Sequence, residues 1–192
     1  MLTFALLIAA LTACLYAWRC RDRDGWALAA MLLLVLGCNT VVKVVPSATM
    51  ALWATKRALM VLQALALPTG CAVLLLRLRP SWAGLAAGVA WLASVGALAV
   101  QQGAFALLYW DRGATLATLG ITAAWVLRRR RPSTAQPCCA VLGATDVLGV
   151  LIEAAAVSGY HEPTTWTRRG VVFSATLLGI TGLLWTHGRR FG

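Results

Sequence analysis

WALAAMLLLVLGCNTVVKVV, residues 26–45, runs for twenty positions with a single charged side chain, Lys43, close to its end. A helix of that length rises about 30 Å, the thickness of a bilayer's hydrocarbon core. Composition extends that reading to the whole chain. Of 192 residues, 60% are hydrophobic and 12% charged, and the mean hydropathy is +0.78, well above a soluble domain that is about half apolar. The longest polar connection, RRRRPSTAQP at 128–137, leaves no room for a soluble domain. Residues 1–192 therefore read as one all-α transmembrane domain, a polytopic helix bundle.

Working outward from residues 26–45, six further apolar runs complete seven expected spans: Leu2 to Trp18, Ala58 to Leu76, Trp82 to Gly103, Ala106 to Leu127, Cys138 to Tyr160 and Gly170 to Trp185. Between the fourth and fifth, the turn is expected to spread over QQG (101–103) and DRG (111–113). LTAC at 11–14 matches the pattern before a lipidated cysteine, but no Lys or Arg precedes the apolar run, so an uncleaved first helix is expected.

Seventeen Lys and Arg against six Asp and Glu give a net charge of +11. On a soluble protein this would suggest nucleic acid; flanking apolar spans, it sets orientation instead. With seven crossings, eleven basic residues, including Arg19, Arg77, Arg128–Arg131 and Arg189, fall on one side, and six, including Lys43, Lys56 and Arg168, on the other. The excess predicts an external N-terminus and a cytoplasmic C-terminus. Indoles favour membrane interfaces. Trp18, Trp26, Trp82, Trp125 and Trp185 fall at the expected cytoplasmic edge, Trp53, Trp110 and Trp166 at the outer one, and only Trp91 in mid-span.

The sixth span holds two acids, Asp146 and Glu153. Seven residues is close to two helical turns, which puts both on one face about 10 Å apart along the axis. Small residues share that face, Gly143 and Ala156 among them, so it is expected to pack inward. A carboxylate at that depth costs at least about 2.5 kcal/mol unless neutralised, paired or hydrated. Lys43, Asn39, Gln63 and Ser94 are the candidate partners, with a Lys43–Glu153 pair as the specific expectation. His161 lies in the outer connection GYHEPTTWTRRG (159–170), which reads as a loop over Glu153 and a lid or ligand mouth. A polar clasp holding helices together is the structural alternative.

Other features carry less. Pro68 is expected to kink or break the third span. GLAAG at 84–88 fits a small-residue packing motif. The six cysteines show no CxxC spacing, and His161 and His187 fall at opposite ends of the expected topology, so no metal site is read. The seventh span has no Lys for a retinal Schiff base. No nucleophile set, phosphate loop or cofactor motif is present, so no cofactor is expected.

AWRCRDRDGWAL (17–28), LWATKRALMVLQALALP (52–68) and TLLGITGLLWTHGRRF (176–191) together resemble the seven-helix membrane sensor region of some bacterial histidine kinases, without the kinase. The resemblance transfers no residue role. It implies a ligand-sensing or partner-binding membrane module with its output in another polypeptide. The expectation is a non-enzymatic sensor-like module, and the compact, Ala- and Arg-rich character of the chain points to a bacterial inner membrane. The expected partners are the lipid bilayer, a small-molecule ligand, and a membrane protein or second copy, with no nucleic acid. The alternative function is a small proton-coupled transporter or channel using the intramembrane carboxylates.

Overall fold

Arg21 and Asp22 alone join the first two helices, and each does a separate job. In the computed structural model, which describes residues 2–44, 49–78, 81–82, 106–127, 133–155 and 163–190, α1 spans Leu2–Cys20 and α2 Arg23–Val44. Arg21 takes the left-handed conformation, φ 49°, and the Asp22 N–H donates back to the Ala17 carbonyl at 3.2 Å. That pattern satisfies a carbonyl at the end of α1 that has no partner within the helix. The Asp22 carboxylate then accepts from the Asp24 N–H at 3.0 Å, capping α2. One dipeptide thus ends one helix and starts the next in the opposite direction.

Among the described residues four more long helices follow: α3 (Met50–Leu75), α4 (Ala106–Leu127), α5 (Ala135–Ala155) and α6 (Pro163–Arg190). Among the described residues there is no strand. The helices form a ring in chain order, closed by α6 against α1, and α5 also reaches α2 and α3. The buried face of α1 is Ala5, Leu6, Ala9, Ala10, Ala13, Tyr16 and Ala17. Small side chains at helical spacing let α2 and α6 approach closely. Leu28, Leu32, Leu74, Leu142, Leu177, Ile180 and Leu184 fill the core.

The outer surface is apolar as well: Phe4, Val44, Leu116 and Leu127 are each more than two-thirds exposed. Three helical segments, Leu2–Cys20, Arg23–Val44 and Gly170–Gly188, are long and apolar enough to cross a membrane. Shorter apolar segments occupy Leu65–Leu75 and Thr115–Leu127. Trp18, Trp26 and Trp185 are exposed near the end of the bundle where α1 and α6 finish and α2 begins.

Several element boundaries differ from the sequence expectations. α3 begins at Met50 instead of Ala58, because Thr49 caps it, its Oγ1 accepting from the Leu52 N–H at 3.3 Å. Lys56 and Arg57 are consequently helical. α3 also continues unbroken through Pro68, with Thr69 Oγ1 donating to the Leu65 carbonyl at 2.8 Å in the adjoining turn. DRG at 111–113 is not a turn: it lies inside α4, where isolated glycines, Gly113 and Gly120, are tolerated among good helix formers. α6 starts at Pro163, where the ring fixes a helical φ and the missing N–H costs nothing. Trp166, Arg168 and Arg169, expected in a loop, therefore stand on the first turns of α6. QQG, GLAAG, His161 and the fourth expected span after Trp82 lie outside the described residues.

Candidate functional site

A hydroxyl-bearing face of α4 meets a carboxylate of α5 where the two helices pack. Thr115, Thr118 and Thr122 recur at i, i+3 and i+7, which places them on one side of α4. Thr115 and Thr118 are buried. On α5, Gly143 and Asp146 face them. Thr115 Oγ1 donates to Asp146 Oδ2 at 3.0 Å. One turn away, a Cβ on Gly143 would lie 2.8 Å from Thr118 Cγ2 and 3.2 Å from Thr122 Oγ1. Glycine at 143 is what permits this approach. Thr122 Oγ1 is buried and makes no hydrogen bond among the described residues.

The sequence-derived candidates divide between interfaces. Asp146 lies at α4–α5, half-buried. Asn39 and Lys43 lie at α1–α2, where Thr3 Oγ1 accepts from Asn39 Nδ2 at 3.1 Å and from Lys43 Nζ. Asn39 is buried and Lys43 exposed. Gln63 is half-buried on α3. Glu153 belongs to α5, but its side chain, and with it the Lys43–Glu153 pair, lies outside the described residues, as does His161. The partners of Asn39 and Asp146 were not anticipated. Thr115, Thr118 and Thr122 had a readable signal, three hydroxyls at helical spacing in an apolar run. Thr3 had none.

Two further constellations lie outside the expected site. Cys71 Sγ on α3 and Cys139 Sγ on α5 are 3.2 Å apart, both as free thiols. At the end of the bundle where α3 finishes and α5 starts, Asp24 accepts from Ser133 Oγ at 2.7 Å and lies 3.8 Å from Arg77 Nη2. Buried Gln136 donates from Nε2 to the Leu74 carbonyl at 2.8 Å and accepts at Oε1 from the Ser133 N–H at 3.3 Å. These bonds tie α2, α3 and α5 together and cap helix ends at the same time. They form a structural clasp. Among the described residues no three metal-ligating side chains converge. Comparison with protein-family models, with curated proteins and with solved structures gives no match.

Proposed function

We propose that the chain is an integral membrane module, non-enzymatic and sensor-like, that binds a small ligand or a membrane partner at the polar α4–α5 interface. One observation carries this reading: the Asp146–Thr115 hydrogen bond between two helices of an apolar bundle. An ionisable side chain within a membrane span is costly and ordinarily serves a pathway, a relay or a binding site. Three apolar helices support the membrane setting. The surrounding hydroxyls give the site both donors and acceptors, which suits a ligand bearing an ammonium or another hydrogen-bond donor. The seven-span topology, external N-terminus and bacterial inner-membrane location belong to the same proposal, supported by the alternation of basic residues.

The test combines membrane extraction with ligand-dependent thermal stabilisation. The protein is expected to resist alkaline carbonate and to need detergent for release. A set of small amines is then screened on wild type, Asp146→Asn and Thr115→Val. A compound that raises the melting temperature of wild type and of an exposed-face variant such as Leu116→Ala, but not of Asp146→Asn, supports the site. Equal stabilisation of all four proteins removes Asp146 from it.

The aligned hydroxyls of Thr115, Thr118 and Thr122 favour a second reading, proton-coupled transport through the same interface. Its signature is proton movement in proteoliposomes that Asp146→Asn abolishes.

A further inference from the structure

Cys71 on α3 and Cys139 on α5 bring two thiols together in the core. Both are free and without exposed surface, and their sulfurs lie 3.2 Å apart. Leu74 and Leu142, three residues further along each helix and so on the same faces, are fully buried. The setting is therefore apolar. Cys138 is turned elsewhere: adjacent side chains on a helix diverge by about 100°, and Cys138 lines a groove between α5 and α6 with Ile180 and His187. A second observation lies beside the pair. The point where a Gly143 Cβ would stand is 3.8 Å from Cys71 Sγ and 3.2 Å from Thr122 Oγ1. That hydroxyl is buried and makes no hydrogen bond among the described residues, a state that buried polar groups ordinarily avoid.

Distance and charge narrow the choice of ligand. Two thiolates favour a soft element. Bonds to sulfur of about 2.3 Å that meet in a line, as at two-coordinate copper(I), set the sulfurs about 4.6 Å apart, whereas bonds that meet near a right angle set them about 3.3 Å apart. The observed 3.2 Å fits the second geometry. Zinc in a structural site takes four ligands, and among the described residues no three ligating side chains converge. Near-right-angle bonding to thiols is the habit of trivalent arsenic and antimony. Their hydroxides are small and uncharged at neutral pH, and so are the dithiol adducts, which spares the apolar interior a buried charge.

We infer that Cys71 and Cys139 form a capture site for a trivalent metalloid hydroxide of the arsenous acid type, bound through both sulfurs with its remaining hydroxyl offered to Thr122. Two As–O and two S–H bonds break, two As–S bonds form, and two waters leave carrying the thiol protons. Neither arsenic nor sulfur changes oxidation state, so no oxidant or reductant takes part. Thr122 Oγ1, with no side chain on Gly143 to part it from Cys71, gains the hydrogen-bond partner it lacks. This site lies between α3 and α5 and does not depend on the role of Asp146.

The full chain, purified in a mild detergent and reduced with a phosphine, is incubated with sodium arsenite and desalted, and its arsenic is counted by elemental mass spectrometry. Wild type is expected to retain one arsenic per chain. Cys71→Ser and Cys139→Ser should each bind roughly a hundredfold more weakly, the contribution of a second tethered ligand through effective concentration. Cys138→Ser and Cys38→Ser should bind as wild type does. Thr122→Val should weaken binding roughly fivefold, the worth of one hydrogen bond; unchanged binding removes that hydroxyl from the site. No arsenic on wild type, equal retention by Cys71→Ser, or loss in Cys138→Ser, which marks capture by the vicinal thiols, overturns the site. X-ray absorption at the arsenic edge on wild type needs no substitution and decides the matter where a serine variant fails to fold. Two sulfur neighbours and one oxygen are expected, and any other sulfur count overturns the site. Asp146→Asn should bind arsenic as wild type does, so failure here and failure of the ligand site at Asp146 are read separately.

Discussion

Cys71 Sγ and Cys139 Sγ face each other at 3.2 Å across the α3–α5 interface, both side chains without exposed surface. A disulfide needs an S–S bond of about 2 Å, so a small inward movement of the two helices suffices to form one. Diamide, a membrane-permeant azo oxidant, can take up the two electrons and two protons released, leaving a hydrazine. Peptide mapping after diamide treatment is expected to recover residues 71 and 139 in one cross-linked species. Cys139→Ser should eliminate that species and Cys38→Ser should not. Alkylation of all six thiols after treatment would rule the cross-link out.

Gln136 joins α3 to the start of α5 through one side chain, and its loss leaves the Leu74 carbonyl and the Ser133 N–H unmatched. Gln136→Ala should destabilise the bundle by about 1–3 kcal/mol, the usual cost of stranding a buried polar group. Reversible unfolding in mixed detergent micelles measures it. A change below about 0.5 kcal/mol, the range of ordinary surface substitutions, would mean that water replaces the amide.

Two glycines make contrasting predictions. At Gly70, an added Cβ would press on Met31 Sδ and Cγ and lie 3.2 Å from Met31 Cβ. The first two atoms belong to a flexible side chain that can swing aside. At Gly143 the obstacle is Thr118, β-branched and fully buried, with few rotamers to choose from. Gly143→Ala should therefore cost about 1–3 kcal/mol by overpacking and Gly70→Ala distinctly less. Melting temperatures of the two variants, measured side by side, test the order. Gly143→Ala should also push α4 from α5 and weaken any ligand response that depends on Asp146.

Thr3 accepts from two residues of α2. Thr3→Val removes a hydroxyl while keeping nearly the same shape, and leaves the buried Asn39 amide without this acceptor. The expected loss is about 1–3 kcal/mol. Lys43→Met, at an exposed position, should stay within about 0.5 kcal/mol. If Lys43→Met proves the more damaging of the two, the lysine is engaged in something beyond Thr3.

Much of the helical layout was legible because long apolar runs have one structural solution where no water is available to the backbone. α1 starts at Leu2, where its apolar run does, and α2 starts three residues ahead of its run, at Arg23. The inward packing expected for the small face of α5 is seen at Gly143, buried against Thr118 and Thr122. Boundaries failed where a polar residue was read as a loop on account of its polarity alone. Thr49 and Pro163 are helix-starting residues, and Asp111–Gly113 lies well within α4. Partner choice was harder still. Acidic and basic residues invited pairing with each other, whereas Asp146 and Lys43 both bond threonines. A hydroxyl carries no charge to advertise it in a sequence, and its relevance depends on which helices become neighbours.

The closure of the ring by α6 against α1 joins the first and last of the described helices. During synthesis, the alanine face of α1 must therefore wait for α6 to emerge before its second neighbour exists. The α1–α2 hairpin, with only two residues between its arms, can form as a unit long before that moment. Alanine is well suited to such a delay: a small, nonpolar surface binds a wrong partner only weakly. Assembly of the described helices thus closes on the first of them, and a product truncated before α6 would leave an intact hairpin with one flank uncovered.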